Sequence, residues 1–418
     1  MNKALIIIFT AIGLDAVGIG LIFPILPRLI ESVTQAGNVA PSIGIMTALY
    51  AAMQFVFAPV LGALSDRLGR RPVLLISLAG AAINYVVMAF APQLWMLLAG
   101  RAIAGLTSAN ISVATAYITD ISPPDTRARR FGLLNAMFGI GFIVGPVLGG
   151  VLGDYWLRLP FMAAAVLNAG NLLLAWFVLP ESRAPSRGKS PKATPSASRP
   201  PEGGAFCPEA AQRQKIDLAA LNPLRPLRWV FSMKGLIPVT LIVFFMSATG
   251  EAYGTCWTLW GQDTFAWNGL WVGLSLGAFG TCQSLAQTFL PGPAVKWLGE
   301  RGAILTGIAA TCVALIVLAF ARQGWMVFAV MPVFALGGMG IPAFQAFATR
   351  LVDESRQGQL QGVLASVVSL ASIAAPLAFT HIYSVVRPSW PGAVWLSAVV
   401  FYAIAAMLVL GLRFRACL

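Results

Sequence analysis

The sequence predicts an all-α membrane protein of twelve transmembrane helices in two six-helix bundles, and three observations carry that prediction. Hydrophobic residues make up 58% of the 418 and charged residues only 10%, with a mean hydropathy of +0.79, far from the roughly 25% charged content of a soluble chain. Apolar runs of about 20 residues, enough for one crossing of a bilayer, recur in two sets of six on either side of one long polar gap. Threading them from an inside N-terminus puts 23 Lys and Arg residues in the inner segments and 4 in the outer ones, and only Arg101 falls within a run. Short loops rich in Lys and Arg stay on the cytoplasmic side, so both termini are expected there.

The runs lie near 4–27, 43–63, 73–91, 95–118, 131–153 and 159–180, then near 236–260, 270–292, 302–321, 325–349, 359–384 and 391–412. The first begins like a signal peptide, but it carries Asp15 mid-run and no small-residue cleavage pattern, so it reads as an uncleaved helix. Between the second and third runs, GALSDRLGRRPV (62–73) sets Asp66, Arg67, Arg70 and Arg71 beside Gly62 and Gly69 in a short inner turn. GPAVKWLGER (292–301) holds the equivalent place in the second set, with Gly at the same first and eighth positions. Duplication of this kind marks transporters that rock two bundles about a site at mid-membrane.

The gap divides the chain into an N-terminal bundle (1–182), a basic cytoplasmic linker (183–234) and a C-terminal bundle (235–418). Its middle, RAPSRGKSPKATPSASRPPEGG, is too rich in Pro, Ser and Gly to bury a core and reads as disordered. Around 221–229, LNPLRPLRW mixes apolar and basic residues and suits an element lying on the membrane surface.

A net charge of +13 invites a nucleic-acid reading, but the basic residues are scattered over short loops and not clustered on one face, so they read as topology signals and contacts to anionic lipid. The five cysteines show no Cys-x-x-Cys spacing and imply neither disulfide nor metal site. No phosphate-cradling loop, metal-ligand cluster or nucleophile with a base is present in the sequence, so neither an enzyme nor an ATP-driven pump is expected.

Ionisable groups inside a bilayer are costly and mark function. Three lie deep: Asp15 in the first run, Arg101 in the fourth and Glu251 in the seventh. Burial disfavours the charged form of a carboxylate, which suits one that takes up and releases a proton near neutral pH. For Asp15 a static ion pair with Arg101 is the competing reading, whereas Glu251 has no basic residue in the apolar part of its half. Gln54, Asn84, Asn110, Gln283, Gln287 and Gln345 are candidates to face a substrate, or to bond across helices. Gly141, Gly145 and Gly149 recur at four-residue spacing beside Pro146, which suits either close helix packing or a bend that controls opening. Trp257, Trp260 and Trp271 are expected in an aromatic belt, and His381 at the outer interface.

GALSDRLGRRPV, Arg101-Ala-Ile-Ala-Gly105 and GIGFIVGPVLGG (139–150) resemble the loop 2–3, helix-four and antiporter helix-five motifs of the major facilitator superfamily. LDAVGIGLIFPILP, SLAGAAINYVVMA, LNPLRPLRW and RQGQLQG resemble stretches of its bacterial tetracycline/proton antiporters, and the likeness runs along nearly the whole chain outside the linker. The resemblance implies alternating access, with export of a metal-chelated tetracycline (a divalent ion such as Mg) in exchange for a proton across a bacterial inner membrane. It implies no cofactor beyond the proton gradient, and a single chain as the working unit. By position, Asp15 matches a functional acid, while Asp66 and Arg70 match charges that hold the bundles together in one state; Asp120 is the inferred partner of Arg70. Gly62 and Gly69 join Asp66, Arg70, Asp120 and the helix-five glycines as expected gating residues. Three departures stand out: Asn84, Gln283 and Thr311 replace an Asp, a His and an Asp of the family, and Glu251 stands where close relatives carry Gln. These leave open two alternatives, an exporter of another small molecule (metabolite, siderophore or other antibiotic) and a membrane sensor that no longer transports.

Overall fold

The computed structural model describes residues 3–108, 110–182, 236–353 and 356–412. The linker and its surface element lie outside the described residues. Twelve crossings follow in order: α1 (Lys3–Ile22), α2 (Ala40–Leu68), α3 (Arg70–Phe90), α4 (Leu94–Thr107 continued by Asn110–Ile121), α5 (Pro124–Tyr155) and α6 (Leu159–Val178). The second six are α7 (Leu236–Phe265), α8 (Gly269–Phe289), α9 (Pro291–Phe320), α10 (Gly324–Ala335, a 3-10 turn Leu336–Met339, then Gly340–Thr349), α11 (Gln357–Val386) and α12 (Ala393–Gly411). A short helix, Leu26–Thr34, joins α1 to α2. By length and hydropathy, 11 of the crossings stand out as membrane spans; α8, 21 residues long, is diluted by glycines and glutamines.

Several helices run past the apolar stretches that predict them. Hydrocarbon thickness limits the apolar residues, not the backbone hydrogen bonding, so a helix continues into the polar layer wherever its side chains tolerate water. The inner turn expected over 62–73 therefore shrinks to Gly69, whose φ of 103° lets α2 and α3 meet without a loop. Gly299 has a φ of 69° and breaks the helix assigned to Pro291–Phe320 in the same way, so the duplicated glycines perform the same turn in both halves. Two expected helices are interrupted at depth: α4 after Thr107 and α10 at the Leu336–Met339 turn. Broken backbone is tolerated inside a membrane where it is buried in protein or lines a cavity.

The apolar cores show how the bundles meet. One core holds side chains of both halves, among them Ile25, Met46, Tyr85 and Phe161 with Trp257, Trp260, Phe379 and Trp395. Two others each stay within one half: Leu5, Ile8, Leu74 and Tyr117, and Val239, Ile304, Val363 and Val409. The bundles are thus fused at the end carrying Gly37, Asp154 and Arg387 and separated at the end carrying Asp66, Arg70 and Arg350. The aromatic-belt expectation needs correcting here. Trp257 is 2% and Trp260 0% exposed; they pack on each other and on Trp395, and Trp257 Nε1 donates to Ser275 Oγ at 2.9 Å. Of the three, only Trp271, 50% exposed, sits as a belt residue would. His381 is exposed.

Candidate functional site

Asp15 is buried, and the side chain of Asn110, at the start of the second segment of α4, hydrogen-bonds its carboxylate. The break in α4 makes this possible, because it turns Asn110 and Ser108 out of the regular ladder. Ser108 Oγ shares a 2.9 Å hydrogen bond with Tyr50 and accepts one from Gln54 Nε2 at 3.0 Å. Arg101 does not pair with Asp15, so the static ion pair is not what the structure contains: neither residue takes part in the ion pairs of the described residues. Instead Tyr50 and Tyr85 lie near both. Asn84 is close by, its Oδ1 3.1 Å from where a Cβ on Gly100 would stand. The Oδ1 atoms of Asn84 and Asn110 are buried without a protein partner. Asp15, Arg101, Gln54, Asn84 and Asn110 thus gather in one polar nest. Tyr50, Tyr85 and Ser108 complete it, and their types carried no signal in the sequence.

In the other bundle, Ser372 Oγ of α11 donates to Glu251 Oε1 at 2.6 Å. Glu251 lies on α7 between Gly250 and Gly254. Gly254 comes within 3.7 Å of Phe23, just past α1, measured from an added Cβ, whereas Gly250 faces nothing within 4 Å. The carboxylate itself is part-buried and tied to α11 of its own bundle through Ser372. Gln283 and Gln287 meet the α10 break: a Cβ on Gly338 would lie 2.6 Å from Gln283 Nε2 and 3.1 Å from Gln287 Cγ. Thr311 donates to the Gly307 carbonyl at 3.0 Å and packs on Gly337. Gln345 is exposed on the second segment of α10 and is not part of this group.

At the separated end, Arg70 lies 2.8 Å from Asp66 and 3.1 Å from Asp120, and also donates to Ser65 Oγ at 2.9 Å. These partners all belong to the first bundle. Glu181, which the sequence did not single out, accepts from the backbone N–H of Arg70 at 2.8 Å and of Arg71 at 3.1 Å. It caps α3, supplying negative charge where the helix dipole is positive. A side chain at Gly69 would collide with this carboxylate and strain a φ of 103°. Gly69→Ala is expected to destabilise the protein by roughly 1–3 kcal/mol, read as a lower thermal midpoint in detergent. Gly62→Ala, with nothing within 4 Å of its Cβ, is expected to leave the midpoint unchanged.

The helix-five glycines divide differently from expectation. Gly141, Gly145 and Gly149 press against the backbone of α1 at Gly13, Val17 and Leu21, a contact within one bundle. The surface between bundles is the neighbouring stripe of α5, Ile143, Pro146, Val147 and Gly150, against Gly269, Gly273, Gly277 and Gly280 of α8. The α8 glycines follow the same small-xxx-small logic and were legible in principle. On the opposite flank Gly44 of α2 meets Pro376 and Thr380 of α11.

The family model described as Major Facilitator Superfamily matches residues 8–279 and 239–416. The chain is 45% identical to the class C tetracycline resistance protein of Escherichia coli, covering 96% of this chain and 95% of that protein. It is 42% identical to the class G protein of Vibrio anguillarum, covering 97% and 96%. Among solved structures, a point mutant of the nucleoside transporter NupG superposes with a TM-score of 0.77 at 13% identity, covering 98% of this chain and 99% of that one, which shows the shared fold. A chain with these broken helices, paired bundles and relatives belongs to the major facilitator superfamily and, within it, to the family of the tetracycline resistance proteins.

Proposed function

We propose that the protein exports a tetracycline-type drug from the bacterial cytoplasm across the inner membrane in exchange for protons, by alternating access. The observation that carries the reading is near-full-length identity of 45% to a tetracycline resistance protein. The separated end is taken as cytoplasmic, on the Lys and Arg asymmetry, which makes this an inward-open state with both termini inside. Residues 1–182 and 235–418 act as the two rocking bodies and 183–234 as their tether, one chain being sufficient.

In this scheme Asp15 and Glu251 carry protons, and Arg101 biases Asp15 through the Tyr50–Tyr85 nest without pairing with it. Gln54, Asn84 and Asn110 on one side and Gln283 and Gln287 on the other offer amide donors and acceptors to the drug, which arrives with a divalent ion such as Mg as cargo; Gln345, exposed and apart from them, is left out of this role. Arg70 with Asp66 and Asp120 pre-forms the inner gate, ready to close against the second bundle.

Cells expressing the protein are expected to tolerate tetracycline, and an uncoupler is expected to remove that tolerance. Neutral Asn84, Gln283 and Thr311 favour one second reading, a different small molecule: uncoupler-sensitive resistance to another compound, with none to tetracycline, would establish it. Resistance to nothing would leave a non-transporting membrane protein.

A further inference from the structure

We propose that Asp154 is the latch of the closed end, a positioning residue that caps the N-terminus of α8 across the bundle interface and whose release is required for that end to open. The inference rests on the alternating-access reading for its meaning, but its geometry stands apart from any substrate.

Asp154 lies in the last turn of α5. Its Oδ1 accepts from the backbone N–H of Gly269 at 2.9 Å and its Oδ2 from that of Leu270 at 2.9 Å. These are unsatisfied donors of the first turn of α8, where the helix dipole also favours an anion. Arg28 Nη1 donates to the same Oδ1 at 2.7 Å, holding the carboxylate from its own bundle. Among the described residues, further hydrogen bonds cross between bundles at this end from Thr258 Oγ1 to the Phe23 carbonyl at 2.9 Å and from Arg387 Nη1 to the Gly37 carbonyl at 2.6 Å. Both end on backbone carbonyls. The Arg387 bond is charge-assisted on its donor side and the Asp154 pair on its acceptor side; what sets the Asp154 contact apart is that it is bidentate and falls on two helix N-terminal donors, which makes it the more directional contact.

The seat is shaped for it. A Cβ on Gly269 would lie 2.9 Å from Asp154 Oδ1 and 2.8 Å from the Gly150 carbonyl oxygen. Glycine at 269 therefore serves both the approach of α5 and the exposure of the capped N–H. Any movement that parts α5 from α8 lengthens both bonds together and leaves the carboxylate to Arg28, so the latch has two settings: shared between bundles when this end is shut, paired within one bundle when it is open.

The test uses the full-length protein with its native cysteines replaced by serine and a reporter pair, Asn38→Cys with Ser384→Cys, one residue from each bundle lining the same surface hollow at this end. A short bis-maleimide is applied in membranes without drug or energy. Asp154→Asn is expected to cross-link roughly three- to tenfold more slowly than its parent. The double exchange Arg28→Asp with Asp154→Arg preserves an ion pair but sets a cation against the α8 N-terminus, and is expected to be as slow. A parental rate in Asp154→Asn, or in the double exchange, overturns the proposal, the second result assigning the hold to the ion pair alone. If Asp154→Asn is not recovered in the membrane, Asp154→Ser, which keeps a capping oxygen without the charge, takes the same measurement. Because no drug is present, failure of the tetracycline reading leaves this readout intact.

Discussion

Glu251→Gln is expected to abolish drug accumulation driven by an imposed pH gradient in inverted vesicles, by tenfold or more, while drug-for-drug exchange across equilibrated vesicles continues. Glutamine keeps the shape of the side chain and can still accept the hydrogen bond that Ser372 Oγ now makes to Oε1 at 2.6 Å. The α7 to α11 contact is therefore preserved, and what is lost is the ability to carry a proton. Exchange of one drug molecule for another needs the bundles to rock but no net proton movement, so it separates loss of coupling from loss of binding. Asp15→Asn makes the same split on the other side, since Asn110 can remain a hydrogen-bond partner to an amide in place of the carboxylate. A normal pH-driven rate in Glu251→Gln would show that this carboxylate is only a polar strut. Static ion pairs would have made both residues structural, because removing one partner of a buried pair strands the other. Among the described residues neither carboxylate is paired that way, which is why conservative amide replacements are expected to fold.

The sequence made the twelve crossings and the lone carboxylates legible because hydropathy and charge are local properties, readable without knowing what a helix packs against. What it hid are relations between helices. Trp257 and Trp260 look like belt residues from their place near a helix end, yet the second bundle encloses them beside Trp395; burial depends on neighbours far along the chain. The breaks in α4 and α10 fall on short Thr-Ser-Ala-Asn and Gly-Gly-Met-Gly stretches that an 18-residue apolar window averages away. Glu181 lies just past a span, where an acid reads as an ordinary flank, and only the fold brings it to the start of α3. Gly141, Gly145 and Gly149 read equally as a packing stripe or as a bend that controls opening, because a stripe does not name its partner, and the partner is α1 in the same bundle. The duplicated Gly69 and Gly299 were the reverse case, since a positive φ is dictated where glycine alone is comfortable.

Gly273→Val is expected to prevent the closed end from shutting and to reduce transport to background. A Cβ at this position meets the Pro146 carbonyl carbon at 2.9 Å and Val147 Cα at 3.0 Å. Both are backbone atoms of a helix already pressed on α1 along Gly141, Gly145 and Gly149, so α5 cannot yield without losing that packing. Overpacking of this kind costs about 1–3 kcal/mol per site even where side chains can adjust, and each ~1.4 kcal/mol moves a two-state equilibrium about tenfold. Gly280→Ala is the graded comparison: its Cβ would meet Ile143 Cγ1 at 3.0 Å, a side-chain atom and not backbone, so a few tenths of an ångström of adjustment suffices, and it is expected to retain most activity. Gly250→Ala, facing open space, is expected to transport normally. The measurement is drug efflux alongside the Asn38→Cys with Ser384→Cys cross-link. If Gly273→Val cross-links and transports like its parent, the α5–α8 glycine seam is not the surface on which the bundles close. If it instead resists cross-linking while remaining stable, the same glycines that let two helix backbones touch are what permit this end to seal at all, and closure here is limited by backbone approach before any charged latch engages.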